Sequence, residues 1–184
     1  TLPALDLFEK DFGYQRKHGQ QSHDRYALEW SPEREPELPA PWVALVRELM
    51  APRYREILCR LYDAPACSFR FHWHYTPRGA SVSPHCDSPK KLGSHIFYFN
   101  TEEDWDPAWG GETLILDDGG RLPRHSAPGF QAFGPPIRAQ SLGNRSLVFT
   151  SRAHGWHGVE AIRCPEDRLR KVFIAVINKA TVQT

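Results

Sequence analysis

The chain has no long hydrophobic runs. Among its 184 residues the longest apolar stretches, such as Val172–Ile177, are only strand-sized. None is long enough to cross a bilayer as a helix, so no membrane partner is expected. Charge of one sign is also missing: Lys+Arg 23 against Asp+Glu 22 leaves a formal net charge of +1. That balance provides no general field for a polyanion, so no nucleic-acid partner is expected. The four cysteines, Cys59, Cys67, Cys86 and Cys164, show neither CxxC spacing nor a dense framework. They read as free thiols of a reducing compartment, and a cytoplasmic location follows as an expectation. The N-terminus has no basic stretch leading into an apolar one, so no signal peptide is expected. No internal repeat is visible, and the length suits one domain, residues 1–184.

What is present fits a packed protein. Hydrophobic residues at 40% and charged residues at 24% are near globular averages, which excludes a disordered tail or a fibre. With 16 prolines and 13 glycines, many turns and hence many short strands are expected.

Residues 1–40 read as polar and irregular. Pro41 is suited to the first turn of a helix. Trp42, Leu45, Val46, Leu49 and Met50 then follow at helical spacing. A second stripe, Tyr54, Ile57, Leu58 and Leu61, follows Pro52. These two helices and the irregular stretch before them make an N-terminal layer over 1–65 whose role is packing. The period then changes from 3.6 to 2. Cys67, Phe69, Phe71, Trp73 and Tyr75 alternate with Ser68, Arg70, His72 and His74, one apolar face and one polar face of a strand. Further strands are predicted at Val82–Asp87, His95–Asn100, Glu112–Leu116, Leu147–Ser151, His157–Ile162 and Leu169–Asn178. Short strands without intervening helices point to an all-β sandwich or barrel. Residues 117–140, rich in Gly and Pro, form a connection long enough to be a lid, a binding loop or disorder.

Strand periodicity puts His85 and Asp87 on the same face. The segment 151–159 (Ser-Arg-Ala-His-Gly-Trp-His-Gly-Val) supplies a third donor, His154 or His157, from a distant strand. Two imidazoles and one carboxylate on one side of an octahedral ion leave three positions open, a set suited to ferrous iron activating oxygen.

Five blocks in order then resemble the Fe(II)/2-oxoglutarate dioxygenases of the prolyl-hydroxylase-like superfamily, over about residues 70–178. Tyr75, Gly79, five residues and His85-Cys86-Asp87 are similar to that family's Tyr-x-x-Gly-x5-His-x-Asp, with one extra residue before the glycine. Ile96-Phe97-Tyr98-Phe99-Asn100 resembles its Tyr-Leu-Asn strand end. Trp105 with Gly110-Gly111-Glu112-Thr113 resembles its Trp and Gly-Gly-Glu-Thr. Gly143-Asn144-Arg145 leads through Phe149 to His157-Gly158-Val159, like the family's His-x-Val. The last block is a basic residue on the final strand, within Arg168-Leu169-Arg170-Lys171.

The resemblance implies a mainly β fold, a double-stranded β-helix (jelly roll) over 66–180 with the short N-terminal helices packed on it. It also implies an oxygenase that uses Fe2+ and 2-oxoglutarate to hydroxylate a C–H bond, releasing succinate and carbon dioxide. The metal ligands would be His85, Asp87 and His157; the His-x-Val form selects His157 and leaves His154 structural or pocket-lining. With its aspartate present, the site does not resemble the superfamily's halogenases, which have a small residue there. The far carboxylate of 2-oxoglutarate needs a buried cation, for which a guanidinium suits. Arg168 and Arg170 share strand parity, so alternation does not separate them. The apolar pattern Arg-x-Val-Phe-Ile-Ala-Val favours Arg170, and Tyr98 stands where the family's tyrosine helps hold the same carboxylate.

His72 and His74 lie on the polar face of their strand, and in a jelly roll that face can line the cavity. They are candidates for substrate contact, and Arg78 is a third. Lys90 and Lys91 read as a solvated face. Trp105, Trp109 and Trp156 read as packing, and Gly110 and Gly111 as a bend with no room for a side chain. A small molecule is expected as substrate rather than a protein, because no separate peptide-binding domain is present. Two other readings make different demands. A non-catalytic jelly-roll module would bind a ligand without turnover. A cupin-type metalloenzyme would use His72 and His74 as its ligands and leave His85, Asp87 and Arg170 without a shared task.

Overall fold

Pro41 and Pro52 set the helix boundaries in the computed structural model, which describes residues 2–13, 20–151 and 154–180. Helix α1 (Ala40–Met50) has Pro41 in its first turn and helix α2 (Pro52–Leu61) opens on Pro52. Ala51 lies between them at φ −62°, ψ 151°. A residue before proline is driven into this extended region, so one turn cannot run into the next. Helix α1 buries Trp42, Val46 and Leu49, as its periodicity requires. Helix α2 is rotated from the expected stripe: Leu58 is buried with Tyr54 and Tyr62 packed beside it, while Ile57 and Leu61 are 49% and 57% exposed. The i, i+4, i+8 row faces the protein, and the residues one position earlier face solvent.

The strands are β1 (Glu9–Asp11), β2 (Arg25–Glu29), β3 (Cys67–Thr76), β4 (Val82–His85), β5 (Lys91–Tyr98), β6 (Leu114–Leu116), β7 (Ile137–Arg138), β8 (Arg145–Thr150), β9 (Trp156–Val159) and β10 (Arg170–Lys179). They form a six-stranded sheet in the order β1-β2-β3-β10-β5-β8 and a four-stranded sheet in the order β4-β9-β6-β7. All pairings are antiparallel. The fold is mainly β, a jelly roll with the two helices packed on one face. Each of the seven strands read from the sequence is present. Strands β1, β2 and β7 fall in stretches read as irregular or as loop; β2 is drawn out by pairing Tyr26 with Tyr75 and Leu28 with Trp73.

The long central strands decide which side becomes core. On β3 and β10 the row Phe71, Trp73, Tyr75, Phe173 and Ala175 packs against Trp42, Val46 and Leu49 of α1. Trp73 and Phe173 are fully buried, each worth roughly 1.5–3 kcal/mol relative to an exposed side chain. The opposite row, His72, His74, Thr76, Arg170, Val172 and Ile174, faces a cavity between the sheets. The polar face of β3 is therefore an inner wall.

Residues 117–140 form an ordered connection. Buried Asp118 accepts from the backbone N–H groups of Gly120 and Leu122 at 3.1 and 2.8 Å. Leu122, Phe130 and Phe133 pack on Leu114, Leu116 and Trp156 of the smaller sheet. Arg124 donates to the backbone carbonyl of Asp87, which ties this connection to the end of β4.

Candidate metal centre and its cavity

Strands β4 and β9 pair with His85 directly opposite His157, and Asp87 follows just beyond the end of β4. The ring centroids of the two histidines are 4.3 Å apart. His85 Nε2 lies 4.0 Å from Asp87 Oδ1, and His157 Nε2 lies 3.7 Å from Asp87 Oδ2. One ligand atom from each residue comes within 4.8 Å of the others, the geometry of a group that can hold a metal ion. Among the described residues it is the one such group. His154 is outside it, half-exposed with Nδ1 3.4 Å from Asp118. Arg152 and Ala153 of the same segment lie outside the described residues.

The backbone sets the chemical form of both rings. His85 Nδ1 lies 3.0 Å from the carbonyl of Ser83, and His157 Nδ1 3.0 Å from the carbonyl of Gly155. A carbonyl only accepts, so each Nδ1 carries the proton and each Nε2 presents its lone pair to the centre. Burial, reinforced by neighbouring His157, pushes His85 down to about 3, and burial lowers His157 as well. Burial alone would raise the Asp87 carboxyl. His157, Lys91 and His85, with the hydroxyl of Ser151, outweigh it and hold the group well below the usual carboxylate range. Lys91 Nζ lies 2.9 Å from Asp87 Oδ1, and Ser151 Oγ donates to Oδ2 at 2.6 Å. At neutral pH the centre thus offers two uncharged imidazoles and one anion.

Lys91 corrects the expectation of a solvated face. Its side chain is only 16% exposed and lines the cavity, because it opens β5 four residues after Asp87, within reach of the carboxylate.

The cavity, about 340 Å3, runs from this centre to Arg170 at the start of β10. Arg170 is buried; its Nε donates to the Gly111 carbonyl at 2.5 Å, and its Nη2 lies 3.4 Å from Thr113 Oγ1. Tyr98 donates to the same Thr113 oxygen at 2.8 Å, with its ring 5.7 Å from the guanidinium carbon. No carboxylate among the described residues forms a salt bridge with Arg170, and burial lowers its pKa. Glu112 acts on it only from beyond salt-bridge distance, and a desolvated cation with no ion-paired carboxylate is a site prepared for an anion.

Three of the sequence blocks build this seat. Gly111 has φ +94°, and a side chain there would come within 3.1 Å of Arg170 Cδ and 3.3 Å of the Trp105 ring. Asn100 accepts from the Lys171 backbone N–H at 2.7 Å and donates to the Leu169 carbonyl at 3.0 Å, locking the entry to β10. Arg168 lies before β10 begins, 3.7 Å from Asp167, and does not line the cavity. Strand parity did not apply to it because it is not on the strand.

His72 and His74 line the cavity wall, their ring centroids 5.8 Å apart. Burial pushes His72 down to about 4 and His74 well below its ordinary value. Neither belongs to the metal-holding group, which removes the cupin reading. Arg78 is a correction: it is exposed, donates to the Cys164 carbonyl at 3.2 Å, and does not line the cavity, because it sits in the turn after β3. Sequence reasoning missed Gln20 and His23. His23 lies 5.8 Å from His74 in a T-shaped contact, and Gln20 Nε2 lies 3.1 Å from His85 Nε2. Both come from a polar stretch whose spacing carries no periodic signal.

The family model described as the 2OG-Fe(II) oxygenase superfamily matches residues 70–176. Among solved structures, a Pseudomonas putida prolyl-4-hydroxylase superposes with a TM-score of 0.61 at 15% identity, covering 94% of this chain and 78% of that one. A Trichoplax adhaerens prolyl hydroxylase, in complex with a hypoxia inducible factor oxygen degradation domain peptide fragment, has a TM-score of 0.57 at 15% identity, covering 94% and 71%. The non-heme alpha ketoglutarate dependent epimerase SnoN from nogalamycin biosynthesis has a TM-score of 0.57 at 14% identity, covering 95% and 68%. At such identities the likeness is one of fold. No curated protein matches the chain in sequence.

Proposed function

Because the chain belongs to the 2OG-Fe(II) oxygenase superfamily and is an iron- and 2-oxoglutarate-dependent oxygenase, we propose that it hydroxylates a C–H bond of a small molecule within the cavity between its sheets. In this reading His85, Asp87 and His157 hold the iron, and Arg170 with Tyr98 and Thr113 receives the far carboxylate of 2-oxoglutarate. The donor set fits the ion: two neutral nitrogens and one carboxylate converge from one side. The single observation that carries the reading is the pairing of this group, across one cavity, with a buried arginine that forms no salt bridge among the described residues. When bound, iron and 2-oxoglutarate would let dioxygen act as the oxidant, its four electrons coming in two pairs, one from the oxidative decarboxylation of 2-oxoglutarate to succinate and carbon dioxide and one from the target C–H bond.

The chain's own residues bind and orient. The Ser83 and Gly155 carbonyls fix the imidazole tautomers, Lys91 and Ser151 fix the carboxylate, and Ile96, Val172, Ile174 and Val176 add an apolar strip to a wall that also carries Arg25, Arg70, Thr76 and Ser94. His72 and His74 are proposed substrate contacts. A cavity of about 340 Å3, shared with the cosubstrate, leaves room for a small polar group, which supports a small-molecule substrate. The proposed unit is one domain, supported by β1 and β2 continuing the sheet of β3 and β10. No described helix is long and apolar enough to cross a membrane, and the four free cysteines support a cytoplasmic setting.

Anaerobic addition of Fe2+ and 2-oxoglutarate is expected to give the weak visible charge-transfer band of the chelate. Folded wild-type protein without the band would overturn the assignment.

The lowered imidazole pKa values make a second prediction. A ring whose pKa is depressed stays neutral, and able to bind metal, until the pH falls through that depressed value. Mn2+ affinity is therefore expected to change less than about twofold between pH 8 and pH 6. Two ordinary imidazoles of pKa near 6.5 would lose about sixteenfold over that interval. Titration at the two pH values decides, and a loss of that larger size would mean the rings titrate normally.

A further inference from the structure

Gln20 meets the centre from outside both sheets. Its side chain is buried, and its Nε2 lies 3.1 Å from His85 Nε2, the nitrogen that faces the other two ligands. Since His85 Nδ1 donates to Ser83, His85 Nε2 can only accept, and the amide N–H of Gln20 is the donor. The approach is built by the strap 20–23, which is stitched to β4. The backbone N–H groups of Gln21 and Ser22 donate to Ser83 Oγ at 2.6 and 3.2 Å. The Ser83 N–H donates to the Ser22 carbonyl at 3.2 Å, and His23 bridges Val82. Gln21 Nε2 also donates to the Ala127 carbonyl at 2.7 Å, joining the strap to the long connection. Ser83 therefore anchors the strap through its hydroxyl and the His85 ring through its carbonyl.

We propose that Gln20 is a positioning residue that latches the metal centre: its amide occupies the His85 lone pair until an ion displaces it, and then borders the ion on the strap side. The inference rests on the reading of His85 as an iron ligand. One lone pair serves one partner, so the amide proton and an ion exclude each other there. The Ser83 carbonyl already sets the ring's tautomer, so the amide adds competition rather than preorganisation. After displacement the side chain stays beside the centre, because Gln21 and Ser22 pin its backbone. There it can donate to an oxygen atom of whatever fills the neighbouring position.

Mn2+ titration of the full chain, read by the electron paramagnetic resonance of free Mn2+ and without cosubstrate, tests this. Gln20→Ala is expected to bind about threefold to tenfold more tightly than wild type, the size of one net hydrogen bond removed from the competing state. Gln20→Glu, which offers a carboxylate at the same place, is expected to bind more tightly still. A merely structural role would leave affinity unchanged or weaken it. His85→Ala separates the two levels. If it binds as wild type does, the reading of the centre fails. If it loses Mn2+ while Gln20→Ala is no tighter than wild type, only the latch fails. Should Gln20→Ala not fold, Gln20→Met, which keeps the bulk but donates no hydrogen bond, decides alone: tighter binding supports the latch, and equal or weaker binding overturns it.

Discussion

Replacing Asp87 with alanine is expected to reduce succinate formation by ~10^3-fold or more, with iron lost from the protein. Partners outside a metal's own ligand set are commonly worth 10–100-fold in affinity or activity, and Asp87 is the centre's sole anionic ligand. The loss is compounded by Lys91. Its ammonium, now 2.9 Å from the carboxylate, would face two uncharged imidazoles and repel an incoming cation. Ser151 would lose its acceptor as well. A titration with Fe2+ under anaerobic conditions, followed by a succinate assay, checks both parts. Retention of a tenth of wild-type turnover would show that the ion is held elsewhere.

Substituting Arg170 with methionine separates cosubstrate from metal. Its guanidinium is buried beside Thr113 and Gly111 with no salt bridge among the described residues, and on the proposed reading methionine would leave the far carboxylate of 2-oxoglutarate unpaired in the same buried place. Breaking such a buried charge pair costs about 3–5 kcal/mol. The KM for 2-oxoglutarate is therefore expected to rise on the order of 10^2–10^3-fold while Mn2+ affinity stays within about twofold. Stability should move the other way. Burial penalises this guanidinium, and Tyr98 and Glu112 only partly offset that cost, so Arg170→Met is expected to unfold at an equal or higher temperature than wild type. Loss of the metal together with cosubstrate affinity, measured by the same Mn2+ titration, would refute the assignment of Arg170.

The central strands were legible for two reasons: β3 alternates apolar with polar residues from Cys67 to Tyr75, and β10 is an apolar run, Val172–Ile177, with both of its rows partly buried. The same periodicity put His85 and Asp87 together. Where the pattern was weak, the reading slipped in understandable ways. Helix α2 carries apolar residues on two adjacent rows, and only packing against β3 chose Tyr54 and Leu58 over Ile57 and Leu61. Strand β2 owes its extension to a partner more than forty residues away. Arg168 and Arg170 were equivalent by spacing until the start of β10 divided turn from strand. Lys91 looked solvated in a Lys-Lys pair, yet the turn after Asp87 folds it back onto that carboxylate.

By itself, then, the order of residues determined the alternating strands, the proline-bounded helices, the His85 and Asp87 pair of the candidate metal centre and the ordered series of family blocks, because each is written in local spacing. The tertiary structure alone decided which row of α2 was buried, that Lys91 turns back onto Asp87, and that a glutamine from the N-terminal strap would rest on His85. Those outcomes depend on contacts between separate segments of the fold, where the free energy belongs to the pair and neither partner's local pattern records it.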